Sequence, residues 1–447
     1  MGKLKNIIKF SYPLLYKGLK VVIHPLQIYQ NYKKGKAEKK LIEEAPALHK
    51  VALAKLKNKK NIRCVFFVFH HQVWKYDYLY KLMCDSSRFT PMILVCPILN
   101  GGEENLQKRM DDAYNYFKGK SYEVIKAYNQ QEGKYIDVKQ TLSPDIIFYT
   151  NPYEKLMGEK LFVKSFADTL TVYVPYAFDN NKDHQLSENL LLRNLVWRCY
   201  VETEEFQMYA KKYARNEGRN IFVTGYPGID PMLIPHINIT TKCWKRENLK
   251  RIIWAPHHTI EAVGNVYYSC FLQYADFMVT MAQKYQDQIC FVFKPHPLLR
   301  EKLYHCWGES RTAEYYQKWE NMPNTSINDD DYTNLFLTSD AMIHDCGSFI
   351  TEYLYTRKPV MRMMNSIPID SMFNDFTKKC LEVYYKAYNK SDIEQFLVNV
   401  IDGVDSLKEA RDIHYKDYLL PPHGKIPSEN IFEDIIDSID NQILYKN

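Results

Sequence analysis

Ile289-Cys-Phe-Val-Phe-Lys-Pro-His-Pro297 decides the fold of this chain. Five apolar residues, mostly aromatic or β-branched, run straight into a cation and an imidazole bracketed by prolines. The run is short and apolar on both faces, which predicts a fully buried strand of a parallel sheet. The prolines fix the backbone just beyond it, so Lys294 and His296 emerge in a set orientation where the strand leaves the sheet.

The same arrangement recurs on either side. Arg251–Ala255 leads into Pro256-His257-His258, and Ala341–His344 into Asp345-Cys-Gly-Ser348. In the first half, Ile62–Phe69 ends at His70-His71. Further strand candidates are Met92–Cys96, Asp145–Tyr149, Thr171–Val174, Asn220–Thr224 and Pro359–Met363. Helical spacing fills the intervals, including one long polar helix over about 186–214 and shorter helices near 271–285, 331–338 and 348–356. Strands alternating with helices predict doubly wound α/β architecture. Gly225-Tyr-Pro-Gly-Ile-Asp-Pro231 is dense in turn residues and marks the entry to a second domain. The chain of 447 residues therefore divides into 1–60, an arm; 61–218, a first Rossmann-like domain; 219–400, a second; and 401–447, C-terminal helices. Two such domains face each other across a cleft, and ligands bind beyond the carboxyl ends of their strands.

Charge is unevenly spread. Residues 1–60 hold 15 Lys against Glu38, Glu43 and Glu44, a net of +12, so with +6 overall the remaining chain carries about −6. Leu4, Ile7, Ile8, Leu15, Leu19, Val22 and Ile23 recur at helical spacing, with Lys3, Lys5, Lys9, Lys17 and Lys20 between them. Pro13 and Pro25 punctuate two short helices in this reading. The arm fits an amphipathic segment lying in an anionic membrane surface through residues 1–40. It also fits a helix packed on the protein with a solvated basic face. No run of 18 apolar residues occurs, so neither a transmembrane helix nor an export signal is expected. Ten cysteines without paired or zinc spacing read as reduced core thiols of a cytoplasmic protein. Nucleic-acid binding is not expected, because the positive charge sits in the arm and not in a groove of the body.

The strand ends supply the chemistry. Lys294 and His296 suit a diphosphate, with His296 as a donor to an oxygen and an acid for a leaving phosphate. Gly347 and Ser348, following Asp345, form the turn and cap of a helix whose backbone N–H groups favour an anion. Glu352, one turn on, would repel phosphate and suits a hydroxyl or a ribose. Of the adjacent His257 and His258, alternation on a strand allows only one to face the cleft. His70 or His71, across the cleft, is a candidate base for an acceptor hydroxyl, or a hydrogen-bonded turn residue. HEXXH and other zinc patterns are absent, so no metal and no cofactor are expected.

These residues resemble the CDP-glycerol glycerophosphotransferase family of teichoic-acid and capsule synthesis. Lys294–Pro297 matches its Lys-Pro-His-Pro, and Ser339-Asp340 through Glu352 its Ser-Asp stretch before an acid-bearing helix. Gly424-Lys-Ile-Pro-Ser-Glu429 is similar to a motif near the family's C-terminus. Departures fall at Pro256-His257-His258 and in the absence of a His-Gly pair between residues 60 and 220. The resemblance implies a GT-B fold whose second domain binds a cytidine nucleotide through Lys294, His296, Asp345, Gly347, Ser348 and Glu352, with the last helices crossing back to the first domain; His257 or His258, as strand-end polar residues, would complete that donor site. It implies a CDP-polyol donor, a membrane-linked glycan or polyol-phosphate acceptor, CMP as product, and attachment to the inner face of a bacterial membrane. A GT-B glycosyltransferase using a CMP- or other nucleotide-activated sugar stays open as the alternative, and so does a non-catalytic binding subunit.

Overall fold

The computed structural model describes residues 13–99, 103–129, 131–234, 239–261, 267–328, 332–365 and 369–445. Strands β1 (Ile62–Val68), β2 (Phe89–Val95), β3 (Val124–Lys126), β4 (Ile146–Tyr149), β5 (Leu170–Tyr173), β6 (Arg198–Val201) and β7 (Ile221–Val223) form one sheet in the order β3-β2-β1-β4-β5-β6-β7. A second sheet takes β8 (Lys250–Ala255), β9 (Ile289–Phe293), β10 (Thr325–Ile327), β11 (Ala341–His344), β12 (Val360–Met363) and β13 (Tyr385–Ala387), in the order β10-β9-β8-β11-β12-β13. Both are parallel, and every residue of β9 and β11 is buried, as runs apolar on both faces require. The strand order reverses between β1 and β4 and again between β8 and β11, which opens a crevice at the carboxyl end of each sheet. The molecule is thus two Rossmann-like, doubly wound lobes facing a cleft, a GT-B-like fold.

Two expectations are corrected. The stretch 186–214 is not one helix: short helices His184–Glu188 and Leu191–Leu195 precede β6, and only Glu204–Tyr213 follows it. Arg198 hid the strand, because a charged side chain reads as solvent-facing. It is fully buried, with Nε donating to Asp434 Oδ2 at 2.9 Å and a second nitrogen donating to Ser438 Oγ at 2.6 Å. Tyr200 donates to the same carboxylate at 2.9 Å. Strands β3, β10 and β13, three residues each, were also missed, being too short to show a period.

The arm is likewise not two short helices. One helix, α1 (Pro13–Ala54), runs through Pro25 and Pro46. A proline removes a single ladder bond, and the turns on either side keep theirs. Ile42, Ala45, His49, Ala52, Leu53 and Leu56 recur at helical spacing and bury one face of its C-terminal part against the first lobe. Lys3, Leu4, Lys5, Ile7, Ile8 and Lys9 lie outside the described residues.

Helix α2 (Phe349–Glu352) follows β11 and passes into a 3-10 turn over Tyr353–Thr356. The last helix, α3 (Pro427–Asn441), packs Ile431, Ile435 and Ile439 into the core of the first lobe. Its N-terminus meets the segment that joins the lobes. Gly225 there has φ +87°, and a Cβ would stand 2.8 Å from Pro427 and 3.0 Å from Pro421, so only glycine fits.

Candidate active site

Register builds the site. Trp254 pairs with both Phe293 and Ile343, so β8, β9 and β11 end level with one another. Pairing continues past the strands: Lys294 N donates to Trp254 O at 2.8 Å and His296 N to Pro256 O at 3.1 Å. That extra step carries His296 alongside the His257-His258 turn. Ring centroids lie 4.3 Å apart for His257 and His258, 5.1 Å for His257 and His296, and 4.1 Å for His258 and His296. Both adjacent histidines therefore meet His296, contrary to the expectation that only one faces the cleft. The alternation rule fails because β8 ends at Ala255, before the pair begins.

Hydrogen bonds assign the protons. Leu298 N donates to His296 Nδ1 at 3.1 Å. Thr259 N donates to His257 Nδ1 at 3.3 Å, and Thr259 Oγ1 lies 2.9 Å from the same nitrogen. Tyr268 N donates to Thr259 Oγ1 at 2.8 Å, which leaves the hydroxyl proton for His257. Each Nδ1 is thus an acceptor, and each neutral ring carries its proton on Nε2. Burial holds the rings neutral: it lowers His257 to about 2 and His296 to about 4, helped by neighbouring histidines and Lys302, and it lowers His258 as well. A ring nitrogen of each of the three lies within 4.8 Å of the others, close enough to suggest a metal site. An N–H that points outward donates to an anion and cannot ligate a cation, so the tautomers of His257 and His296 favour phosphate oxygen over metal.

Asp345 stands behind this cluster. It is buried, its Oδ1 accepting from His257 N and its Oδ2 from Cys270 N, each at 2.6 Å. Burial pushes its carboxyl up to about 7, while those two N–H groups and the charge of Arg362 pull it back. Asp345 thereby fixes the backbone that presents His257. Gly347 carries the next turn, and a Cβ there would meet Asn180 Nδ2 at 3.2 Å and Tyr268 at 3.3 Å. Asn180 belongs to the first lobe and donates to Gly347 O at 2.9 Å, so the lobes touch at this turn. Ser348 is exposed at the start of α2 and makes no capping bond there; its side chain hydrogen-bonds Cys346.

The remaining candidates sit differently. Lys294 is buried and donates to Asn328, at 3.0 Å to the side chain and 3.4 Å to the carbonyl. Glu352 is only 2% exposed; it accepts from Tyr332, and Tyr226 donates to it at 3.4 Å. His70 and His71 occupy the turn after β1 on the other lobe. His71 stacks on Tyr116 with ring centroids 4.7 Å apart. Burial, with the nearby His71 and Arg109, lowers His70 to about 4.

Thr259, Asn180 and Arg362 escaped the sequence reading. Arg362, in β12, is buried with its guanidinium 4.9 Å above the Phe373 ring, and its charge draws down both Asp345 and His344. A lone Arg within Pro-Val-Met-Arg-Met was the available signal.

Fold and site together define a two-lobed enzyme of the GT-B type whose second lobe presents anion donors at its strand ends. Residues 175–368 match the model of the CDP-glycerol:poly(glycerophosphate) glycerophosphotransferases, so this stretch of the chain is similar to that family. No curated protein matches it in sequence. Among solved structures, the wall teichoic acid polymerase TagF is similar at 13% identity, covering 96% of this chain and 99% of its own, with a TM-score of 0.52. The S. aureus MnaA–UDP structure is similar at 16% identity over 87% of this chain and 99% of its own, TM-score 0.52. The UDP-GlcNAc 2-epimerase from Neisseria meningitidis bound to UDP-GlcNAc gives 12%, 85%, 99% and 0.52. At these identities the likeness is one of fold. Among the described residues no helix is long and apolar enough to cross a membrane.

Proposed function

We propose that this protein transfers a polyol phosphate, glycerol- or ribitol-phosphate, from a CDP-polyol to a hydroxyl of a membrane-linked glycan or polyol-phosphate acceptor. The observation that carries this reading is the pair of Nε2–H donors on His257 and His296, held at the end of the second lobe's sheet within the residues that match the family. In the reaction, the acceptor oxygen forms a bond to the distal phosphorus as the bond from that phosphorus to the bridging oxygen breaks. The acceptor proton passes to His70 or His71, and CMP leaves. Negative charge grows on the departing phosphate, where fixed N–H donors in a dry site stabilise it most. His257, His296, the Ser348 hydroxyl and the Gly347 turn serve that charge, with His258 completing the wall. Asp345 orients His257, and Lys294 adds a positive field. In-line placement between the lobes supplies the remainder.

Two solved structures of similar fold hold a nucleotide, MnaA with UDP and the Neisseria epimerase with UDP-GlcNAc, which supports a nucleotide ligand for this chain. The arm supports a membrane setting. Lys33, Lys34, Lys36, Lys39 and Lys40 are exposed on α1, which suits attachment to the anionic inner face of a bacterial membrane through residues 1–40. Incubation with CDP-glycerol, CDP-ribitol, CMP-sialic acid and UDP-sugars, with assay for CMP or UDP, tests the reading. Turnover of a nucleotide sugar with neither CDP-polyol consumed would move the protein to the glycosyltransferases.

A further inference from the structure

Glu352 sits in the position expected of a nucleotide ligand, yet its surroundings are those of a structural charge. It is buried, and tyrosine hydroxyls engage both of its oxygens, Tyr332 on Oε2 and Tyr226 on Oε1. A buried carboxylate needs a compensating cation as well as hydrogen bonds. That cation comes from the other lobe. Lys75 Nζ donates to the Tyr332 hydroxyl at 2.9 Å and lies 5.1 Å from the centre of its ring. The phenol oxygen thus accepts from Lys75 while donating to Glu352. On the far side, the single Tyr226 hydroxyl proton goes chiefly to Tyr176 O, at 2.7 Å, with the 3.4 Å approach to Glu352 the weaker branch, so Tyr226 also touches the first lobe.

Lys75 has a particular place in the first lobe. It follows directly on the turn His71–Val73 and Trp74, four residues after His71. Trp74 and Tyr76 on either side of it are buried. A pull on Lys75 therefore moves the His70-His71 turn with it.

We propose that Lys75, Tyr332 and Glu352 are positioning residues: an interlobe tie that sets the distance of His70 and His71 from the donor site. Glu352 acts through Tyr332 and Lys75, and contacts with the nucleotide fall to other groups. The tie rests on the transferase reading only for what it positions; the connection itself stands on the hydrogen bonds.

Tyr332→Phe is the informative variant. It removes both hydroxyl bonds and keeps the ring, which packs 4.8 Å from Phe336 and 5.2 Å from Phe349, centroid to centroid, so folding is retained. Cys84 in the first lobe and Cys306 in the second are exposed and provide labelling sites for an interlobe distance, in a Cys243→Ser background. The expected result is a broader distribution in Tyr332→Phe, shifted by about 2 Å or more. Lys75→Met should reproduce it, and the double variant should add nothing. Unchanged distances in all three, or additive effects, overturn the tie. With CDP-glycerol as donor, kcat of Tyr332→Phe should fall at least about tenfold while the donor's dissociation constant stays within about threefold. Lost donor affinity at unchanged kcat would instead make Glu352 a nucleotide ligand. If the unaltered protein turns over no CDP-polyol, the transferase reading fails, and the distance measurement still decides the tie.

Discussion

At the scale of single residues, His257 and His296 act through which nitrogen is free. Backbone and Thr259 contacts occupy both Nδ1 atoms, so each neutral ring carries its proton on Nε2, and donation from these rings does not depend on imidazolium charge. With these rings lowered to about 2 and about 4, the charged forms are already absent at neutral pH. CDP-glycerol affinity, measured by calorimetry, should then vary less than about twofold between pH 6.5 and 8. A gain approaching tenfold per pH unit toward acid would mean that a proton is taken up on binding. Chelation supplies a second check. Dialysis against EDTA should leave CMP release unaltered, whereas a histidine metal centre would lose activity and regain it with added zinc. Gly347→Ala tests the tight turn. Its Cβ pushes on Asn180 and Tyr268, and donor affinity should fall about tenfold, or ~1.4 kcal/mol, with little change in Tm.

At the scale of elements, sequence legibility followed burial and length. Ile289–Phe293 and Ala341–His344 appear with the predicted bounds, because runs apolar on both faces have one use in a doubly wound sheet. Arg198–Val201 was hidden inside a supposed helix, since the partners that make Arg198 tolerable, Asp434 and Ser438, lie more than 230 residues away. The same distance in sequence concealed the site's finer structure. His296 and His257 could be named as strand-end polar residues, while their meeting depends on the Pro256 carbonyl extending the ladder, which spacing alone does not encode. The buried pair makes its own prediction. Arg198→Met leaves the Asp434 carboxylate without its cation and should destabilise the protein by about 3–5 kcal/mol, read as a lower denaturant midpoint. Arg198→Met with Asp434→Leu should recover much of that loss, because a buried pair is worth little more than well-packed apolar groups.

At the scale of the whole molecule, a lysine-rich arm leads into two lobes that face a cleft. Helix α1 has 42 residues, ~63 Å at ordinary rise, and its C-terminal part packs on the body. Removal of residues 1–40 takes away ten lysines and should weaken binding to phosphatidylglycerol vesicles by more than about tenfold. CMP release with a soluble acceptor should persist. The central claim, that the second lobe breaks a CDP-polyol between its phosphates, is most directly tested by CMP release from CDP-glycerol and CDP-ribitol, comparing the unaltered protein with His296→Ala. CMP should appear from at least one donor, and kcat should fall about a hundredfold or more in the variant. CMP from neither donor, or full activity without the His296 imidazole, would contradict it.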